Sequence, residues 1–310
     1  MSVYFRRIVK AMELNSIVTS GGIISYSAGS SSLDPYSFRI VEDGTSKIQA
    51  AIKLFPILSK YFQKTPVVIN CYPATLGSFN SVIYLDTYLR PVNFSRGLAL
   101  AKELETACII LGQPLTVLDL LFKHAFAKTE LPMPNQILFA LGGYIVPASL
   151  ESAFSHICKK SGVEYNLLHA YGMAEVNFGC LLGTHRDENG QVHYKIANED
   201  VKVKLSGEQL FLGKTGSDSI YNTGDFARWV DELLIISPGK HRLNQEVIDN
   251  LERWDYSDWK KRTGYVGRLE GKLLFQLRED EIPNNDTEIE FFDFCRQFKT
   301  SWAAKPNWSI

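Results

Sequence analysis

The sequence predicts an α/β fold: a layered core with largely parallel strands, then a smaller antiparallel β region, then a small C-terminal α+β piece. Three observations predict it. Between residues 22 and 172, short apolar runs alternate with stretches of helical spacing, the pattern of strands joined by crossover helices. From Cys180 the helical spacing stops, and short strands follow one another across Asn189-Gly190 and Ser206-Gly207, residue pairs suited to tight hairpin turns. Past Pro238-Gly239, helix, hairpin and helix patterns return. The predicted boundary lies there, giving a core over 1–238 and a small C-terminal domain over 239–310.

The elements follow in order. Residues 22–28 read as an apolar strand entering a small-residue turn. Residues 45–62 have helical spacing with a kink expected at Pro56, since proline lacks the backbone donor. Residues 66–71 (PVVINC) form a buried strand. A helix over 98–106 feeds a strand over 107–112. Residues 115–126 form an amphipathic helix capped near Thr116. The run QILFALGG at 136–143 is a strand closing on two glycines. A helix over 148–161 leads to the strand EYNLLHAYG. Then LLGTH and VHYKIA form a hairpin, and VKVKL and EQLFLG add two strands. In the C-terminal piece, 243–254 and 286–300 read as helices around a hairpin at 265–277, the second helix capped at Asp286 or Thr287.

Composition excludes several classes. The 33 basic and 34 acidic residues nearly cancel and no basic run occurs, so neither nucleic acid nor an anionic membrane is expected as a partner. No apolar stretch is long enough to span a bilayer, and the N-terminus lacks a signal-peptide core. A cytoplasmic protein is expected. Its five cysteines are widely spaced without a CxxC pair, which argues for reduced, mostly buried thiols rather than a zinc site or disulfide scaffold.

Two segments carry the chemistry. One is Tyr171-Gly172-Met173-Ala174-Glu175, closing a strand. The other is Tyr221-Asn222-Thr223-Gly224-Asp225-Phe226-Ala227-Arg228-Trp229. Each alone could be an ordinary glycine turn. In this order, with Gly142-Gly143-Tyr144 and Pro147-Ala148-Ser149-Leu150 before them and Gly239-Lys240 after, they resemble the nucleotide-binding motifs of the AMP-forming adenylating enzymes. That family includes acyl-CoA synthetases, peptide-synthetase adenylation domains and luciferases. The resemblance covers residues 22 to 306.

The resemblance implies a site. Tyr171 would stack on adenine, Gly172, Met173 and Ala174 would line the α-phosphate, and Glu175 would hold Mg²⁺, as a carboxylate suits that hard cation. Ala174 stands where the family has threonine, so one phosphate contact is missing. Asp225 would accept the ribose hydroxyls with its two oxygens. Gly142 and Gly143 would border the adenine and acyl pockets. Lys240 would mark the hinge or reach the ribose, without the planar fork of the family's arginine. Ser27, Gly29, Ser30 and Ser31 occupy the family's phosphate loop, where backbone amides and hydroxyls hold ATP. Ser32 and Tyr36 replace its usual glycine and lysine, and Asp34 adds a negative charge.

The resemblance therefore implies an acyl-CoA-ligase-like protein using ATP/AMP, Mg²⁺ and CoA or phosphopantetheine. It would act on a small-molecule acyl substrate in specialised metabolism, with a carrier protein or partner enzyme beside it. It also implies losses. The phosphate-loop lysine is absent, the lid loop after Lys240 is short, and Lys305 does not match the family's C-terminal lysine. One placed cation is worth about 3–4 kcal/mol in such a reaction, so adenylation is expected to be impaired. Two further readings stay open: a binding or scaffold protein that keeps the fold, and a subunit completed by a partner's lysine.

Other residues read more plainly. His185-Arg186-Asp187 mimics a kinase triplet but belongs to a hairpin turn, because no asparagine follows at the required offset. His169 is read as a core histidine. Cys295, within FFDFCRQF, is read as buried, although acyl-protein synthetases related to the family do use a cysteine.

Overall fold

The computed structural model describes residues 24–25, 39–40, 45–72, 82–127, 131–143, 146, 148–173, 176–197, 199–237, 267–269, 272–274, 294 and 297. Strands β1 (Ile24–Ser25) and β2 (Arg39–Ile40) form a short antiparallel pair. Helix α1 (Thr45–Leu54) stops before Pro56, and a 3₁₀ helix, Pro56–Phe62, takes over. The expected kink is thus a change of helix type at the residue that cannot donate.

Next comes β3 (Val67–Cys71), every residue buried, and β4 (Ile83–Asp86), a four-residue strand absent from the sequence reading. Helix α2 (Pro91–Glu103) begins at Pro91 rather than residue 98; proline at the first helical position needs no donor and has a suitable φ. Strand β5 (Cys108–Gly112) leads to α3 (Pro114–Ala125). Here too proline opens the helix, and Gln113 holds the cap position without a side-chain hydrogen bond. Thr116 is therefore not the cap; its buried hydroxyl has no hydrogen-bond partner among the described residues. Strand β6 (Gln136–Gly142), helix α4 (Ala148–Lys160) and strand β7 (Glu164–Met173) complete the parallel half.

The antiparallel half holds β8 (Asn177–Gly183), β9 (His193–Ile196), β10 (Val201–Ser206), β11 (Gln209–Lys214), β12 (Ile220–Val230) and β13 (Leu233–Ser237). The two halves are one sheet. Among the described residues its eleven strands run β10-β11-β12-β13-β9-β8-β7-β6-β5-β3-β4. Pairing is parallel from β4 to β7 and antiparallel from β7 to β10. The antiparallel region continues the parallel sheet from the β7 edge. A separate pair, β14 (Gly267–Leu269) with β15 (Lys272–Leu274), falls inside the expected C-terminal hairpin. The expected helices at 243–254 and 286–300, and the boundary at Pro238-Gly239, lie largely outside the described residues.

Alternation along the strands sorts the core. Val67, Ile69 and Cys71 of β3, Cys108 and Ile110 of β5, and Ile137, Phe139 and Leu141 of β6 face α2, α3 and α4, meeting Phe94, Leu98, Leu121, Phe154 and Ile157. Phe294 joins this layer against Phe122, with ring centroids 4.9 Å apart. The intervening Val68, Ile109 and Leu138 face the other way, onto Ala51, Leu58 and Tyr61. A third core fills the antiparallel half around Tyr194, Leu210, Leu212, Leu234 and Ile236.

Candidate functional site

Because β3 to β7 are parallel, their carboxyl ends lie at one end of the sheet. The chain passes from β3 outward to β4 and then back across to β5. Such a reversal opens a crevice beyond the carboxyl ends of the two strands. The residues leaving these strands are Tyr72 after β3, Gln113 after β5, Gly142 and Gly143 at the end of β6, and Tyr171 to Met173 at the end of β7.

Tyr171, at the carboxyl end of β7 and two strands from β5, meets Asp225, although 54 residues separate them. The Tyr171 hydroxyl donates to Asp225 Oδ2 at 2.6 Å. Both residues are buried, at 6% and 3% exposure. The distance is that of a charge-assisted O–H···O⁻ bond. The Tyr171 ring packs edge-on against Tyr194, with centroids 6.2 Å apart.

Local backbone geometry delivers Asp225. Across β11 and β12, Gln209 pairs with Phe226 but Phe211 pairs with Asn222. Thr223, Gly224 and Asp225 therefore form a bulge, and bulges re-aim side chains next to sites. Gly224 has φ 78°, a conformation glycine adopts without steric cost. The bulge is stitched from within: Gly224 N–H donates to Asn222 Oδ1, Asp225 N–H to Thr223 Oγ1, and Thr223 Oγ1–H to the Leu210 carbonyl. The Thr-Gly-Asp order thus has a physical reason in the fold.

The two glycines are held differently. A Cβ at Gly142 would lie 2.6 Å from the Ala170 carbonyl oxygen and 3.0 Å from the Tyr72 hydroxyl. Tyr72 accepts a hydrogen bond from the Gly142 backbone, and burial pushes its phenol pKa up. Gly143 has φ 91° and lies against the Gln113 side chain. Gly172 is half-buried, and Met173 packs on the antiparallel core. Gly142, Gly143, Tyr171, Gly172, Met173 and Asp225 therefore gather at one end of the sheet. Ser27, Gly29, Ser30, Ser31, Ala174, Glu175 and Lys240 lie outside the described residues.

A polar cluster missed in the sequence flanks this end. Asn70, fully buried, donates from Nδ2 to Asp86 Oδ2 at 3.1 Å and accepts the Tyr72 N–H at Oδ1. Thr87 donates its hydroxyl to the Asn70 carbonyl. The signal was the asparagine within the apolar run VVINC, a polar residue that burial forces to find partners.

His169 is a core histidine. Burial lowers its pKa to about 3, and the nearby Arg186 cation pushes the same way. It is therefore neutral near pH 7, and its 3.3 Å approach to Glu151 Oε1 is a neutral contact rather than an ion pair. Arg186 is the local hub. It donates to Glu151, to the Val146 carbonyl at 2.6 Å and to the Gly190 carbonyl, tying α4 to the β8–β9 turn. The expected hairpin-turn role of His185-Arg186-Asp187 fits this geometry. Among the described residues, no group of three His, Cys, Asp or Glu side chains is placed to hold a metal ion. A cleft of about 270 Å³ opens at the opposite, amino-terminal end of the strands, lined by Lys60, Lys64, Lys102, Glu105, Gln136 and Glu164 among others.

No protein-family model matches the sequence, and no curated protein matches it. Solved structures do. The resemblance is to AMP-forming adenylating enzymes. McyG A-PCP complexed with phenylalanyl-adenylate is 12% identical over 68% of this chain and 48% of its own, with a TM-score of 0.45. A fatty acid AMP ligase from Legionella pneumophila is 13% identical over 82% and 59%, also with a TM-score of 0.45. An acyl-CoA synthetase (AMP-forming)/AMP-acid ligase II-like protein from Dyadobacter fermentans is 11% identical over 79% and 71%, with a TM-score of 0.43. The chain spans about half the length of the first of these.

Among the described residues, no helix is long and apolar enough to cross a membrane.

Proposed function

We propose that this chain is an acyl-adenylate ligase-like protein that binds the AMP moiety where Tyr171 and Asp225 meet. The observation that carries the proposal is their 2.6 Å hydrogen bond, at the sheet end where doubly wound folds place ligands. A sugar reaching Asp225 would share or displace the tyrosine hydroxyl. Such an exchange replaces one O–H donor by another and keeps the buried carboxylate satisfied. Glu175 would hold Mg²⁺, Lys240 would approach the ribose, and Ser27, Gly29, Ser30 and Ser31 would meet the phosphates. In the reaction proposed, a carboxylate oxygen attacks the α-phosphorus of ATP and releases pyrophosphate. A thiol of CoA or carrier-bound phosphopantetheine then attacks the acyl carbon and releases AMP. The missing phosphate-loop lysine makes the first step the slower one. Specialised metabolism, a carrier-protein partner and a cytoplasmic setting belong to the same proposal.

One observation favours a second reading. The Tyr171–Asp225 pair is closed and buried, which also suits a purely structural bond in a scaffold protein. Carboxylate-dependent exchange between ATP and pyrophosphate separates the two. Exchange supported by any member of a carboxylic acid panel favours the ligase. AMP binding without exchange favours a retained pocket on a scaffold. Neither exchange nor AMP binding would sink the nucleotide site altogether.

A further inference from the structure

The outer flank of helix α2 is a surface without a described neighbour. Four of the exposed large apolar residues lie on α2 or beside its ends: Tyr88 at 75%, Val92 at 55%, Leu100 at 37% and Leu104 at 44%. The buried side of the helix carries Phe94, Gly97, Leu98 and Ala101. One flank is taken, because Ser95 bonds His124 of α3 at 2.9 Å. At about 100° per residue, Leu100 and Leu104 lie roughly 140° and 180° around from Ser95. They therefore look past β4, the last described strand on that side of the sheet.

We infer that this flank pairs with the same flank of a second copy of the chain, across a two-fold axis at the β4 edge. Two features argue for a copy rather than another partner. The first is spacing. A Cβ at Gly97 would touch Ile69 of β3 and lie 3.7 Å from Leu85 of β4, so α2 rides above the gap between these strands. Strands sit about 4.8 Å apart. A two-fold axis half a spacing beyond β4 therefore sets α2 and its mate about 10 Å apart, the distance at which helices pack. The second feature is charge. Exposed Arg90 precedes α2 and exposed Arg96 lies in its first half, exposed Glu103 and Glu105 lie at its end, and exposed Lys102 turns away to Asn135. An antiparallel mate puts Arg96 within a turn of the partner's Glu103, twice per dimer. Such a stripe complements itself, as an interface about a two-fold axis must. The helix is only about 20 Å long, so the contact is small and the dimer is expected to be concentration-dependent.

Sedimentation velocity on the full chain from about 1 to 100 µM tests this. The wild-type chain should shift from monomer to dimer over that range. Leu100→Glu with Leu104→Glu should stay monomeric with an unchanged melting temperature. Arg96→Glu and Glu103→Arg should each weaken the dimer at least tenfold, and combining them should restore it. That rescue is a readout that altered folding would not produce. A wild-type chain that is monomeric throughout overturns the inference. So does a dimer that survives the double leucine substitution, or a charge pair that fails to rescue.

Discussion

Removing one oxygen, in Tyr171→Phe, isolates the contact on which the site is built. The ring keeps its edge-on packing against Tyr194, so no cavity opens beneath it. What is lost is the donor to Asp225 Oδ2, at 2.6 Å between two residues that are 6% and 3% exposed. A hydrogen bond to a charged group contributes about 1.5–3 kcal/mol. The expected loss is about 2 kcal/mol in urea unfolding at pH 7, with an unchanged denaturant slope. Paired with Asp225→Asn in a double-mutant cycle, the coupling should exceed about 1 kcal/mol. A loss below about 0.5 kcal/mol, or additivity in the cycle, would show that the two side chains are neighbours without holding each other.

Three other outcomes follow from the same structure. His169 has a folded pKa of about 3 against an ordinary value of 6.5, so the unfolded chain takes up its proton first. Stability from this group is complete above pH 6.5 and falls toward pH 3, at up to about 1.4 kcal/mol per pH unit; His169→Gln should remove that part of the acid slope, and an unaltered slope would contradict the assignment. Arg186→Met should cost about 3 kcal/mol, because Glu151 loses its cation in a partly buried site. It should also raise the His169 pKa, seen by imidazole NMR, since the Arg186 charge now pushes it down; a lower value would refute the sign. Gly142→Ala forces a Cβ to 2.6 Å from the Ala170 carbonyl and should cost about 1–3 kcal/mol, with a melt matching wild type as the refuting result.

Much of this fold was legible because burial leaves a pattern. The run VVINC reads as a central strand since every position is covered, and QILFALGG ends on glycines because the Ala170 carbonyl crowds Gly142 and Gly143 takes a positive φ. Strand β4 escaped because four half-buried residues, IYLD, carry no alternation. The start of α3 was misplaced because proline opened the helix where a side-chain cap was sought, and α2 was read from residue 98 although Pro91 opens it. In the candidate site, the order of Tyr171 and Asp225 was legible but their direct bond was not. It depends on a bulge at Thr223-Gly224-Asp225, and the sequence shows that segment only as a turn-like triplet. The Asn70, Asp86 and Thr87 cluster depends on strand register between β3 and β4, which only the fold supplies.

The central claim is that the carboxylate beside Tyr171 receives the sugar of an adenylate. Calorimetric titration with a non-hydrolysable acyl-adenylate analogue, on the wild-type chain and on Asp225→Ala, tests it most directly. Saturable one-to-one binding is expected, weakening at least tenfold in the variant, which remains folded. Equal affinity in both proteins, or no binding to either, would contradict it.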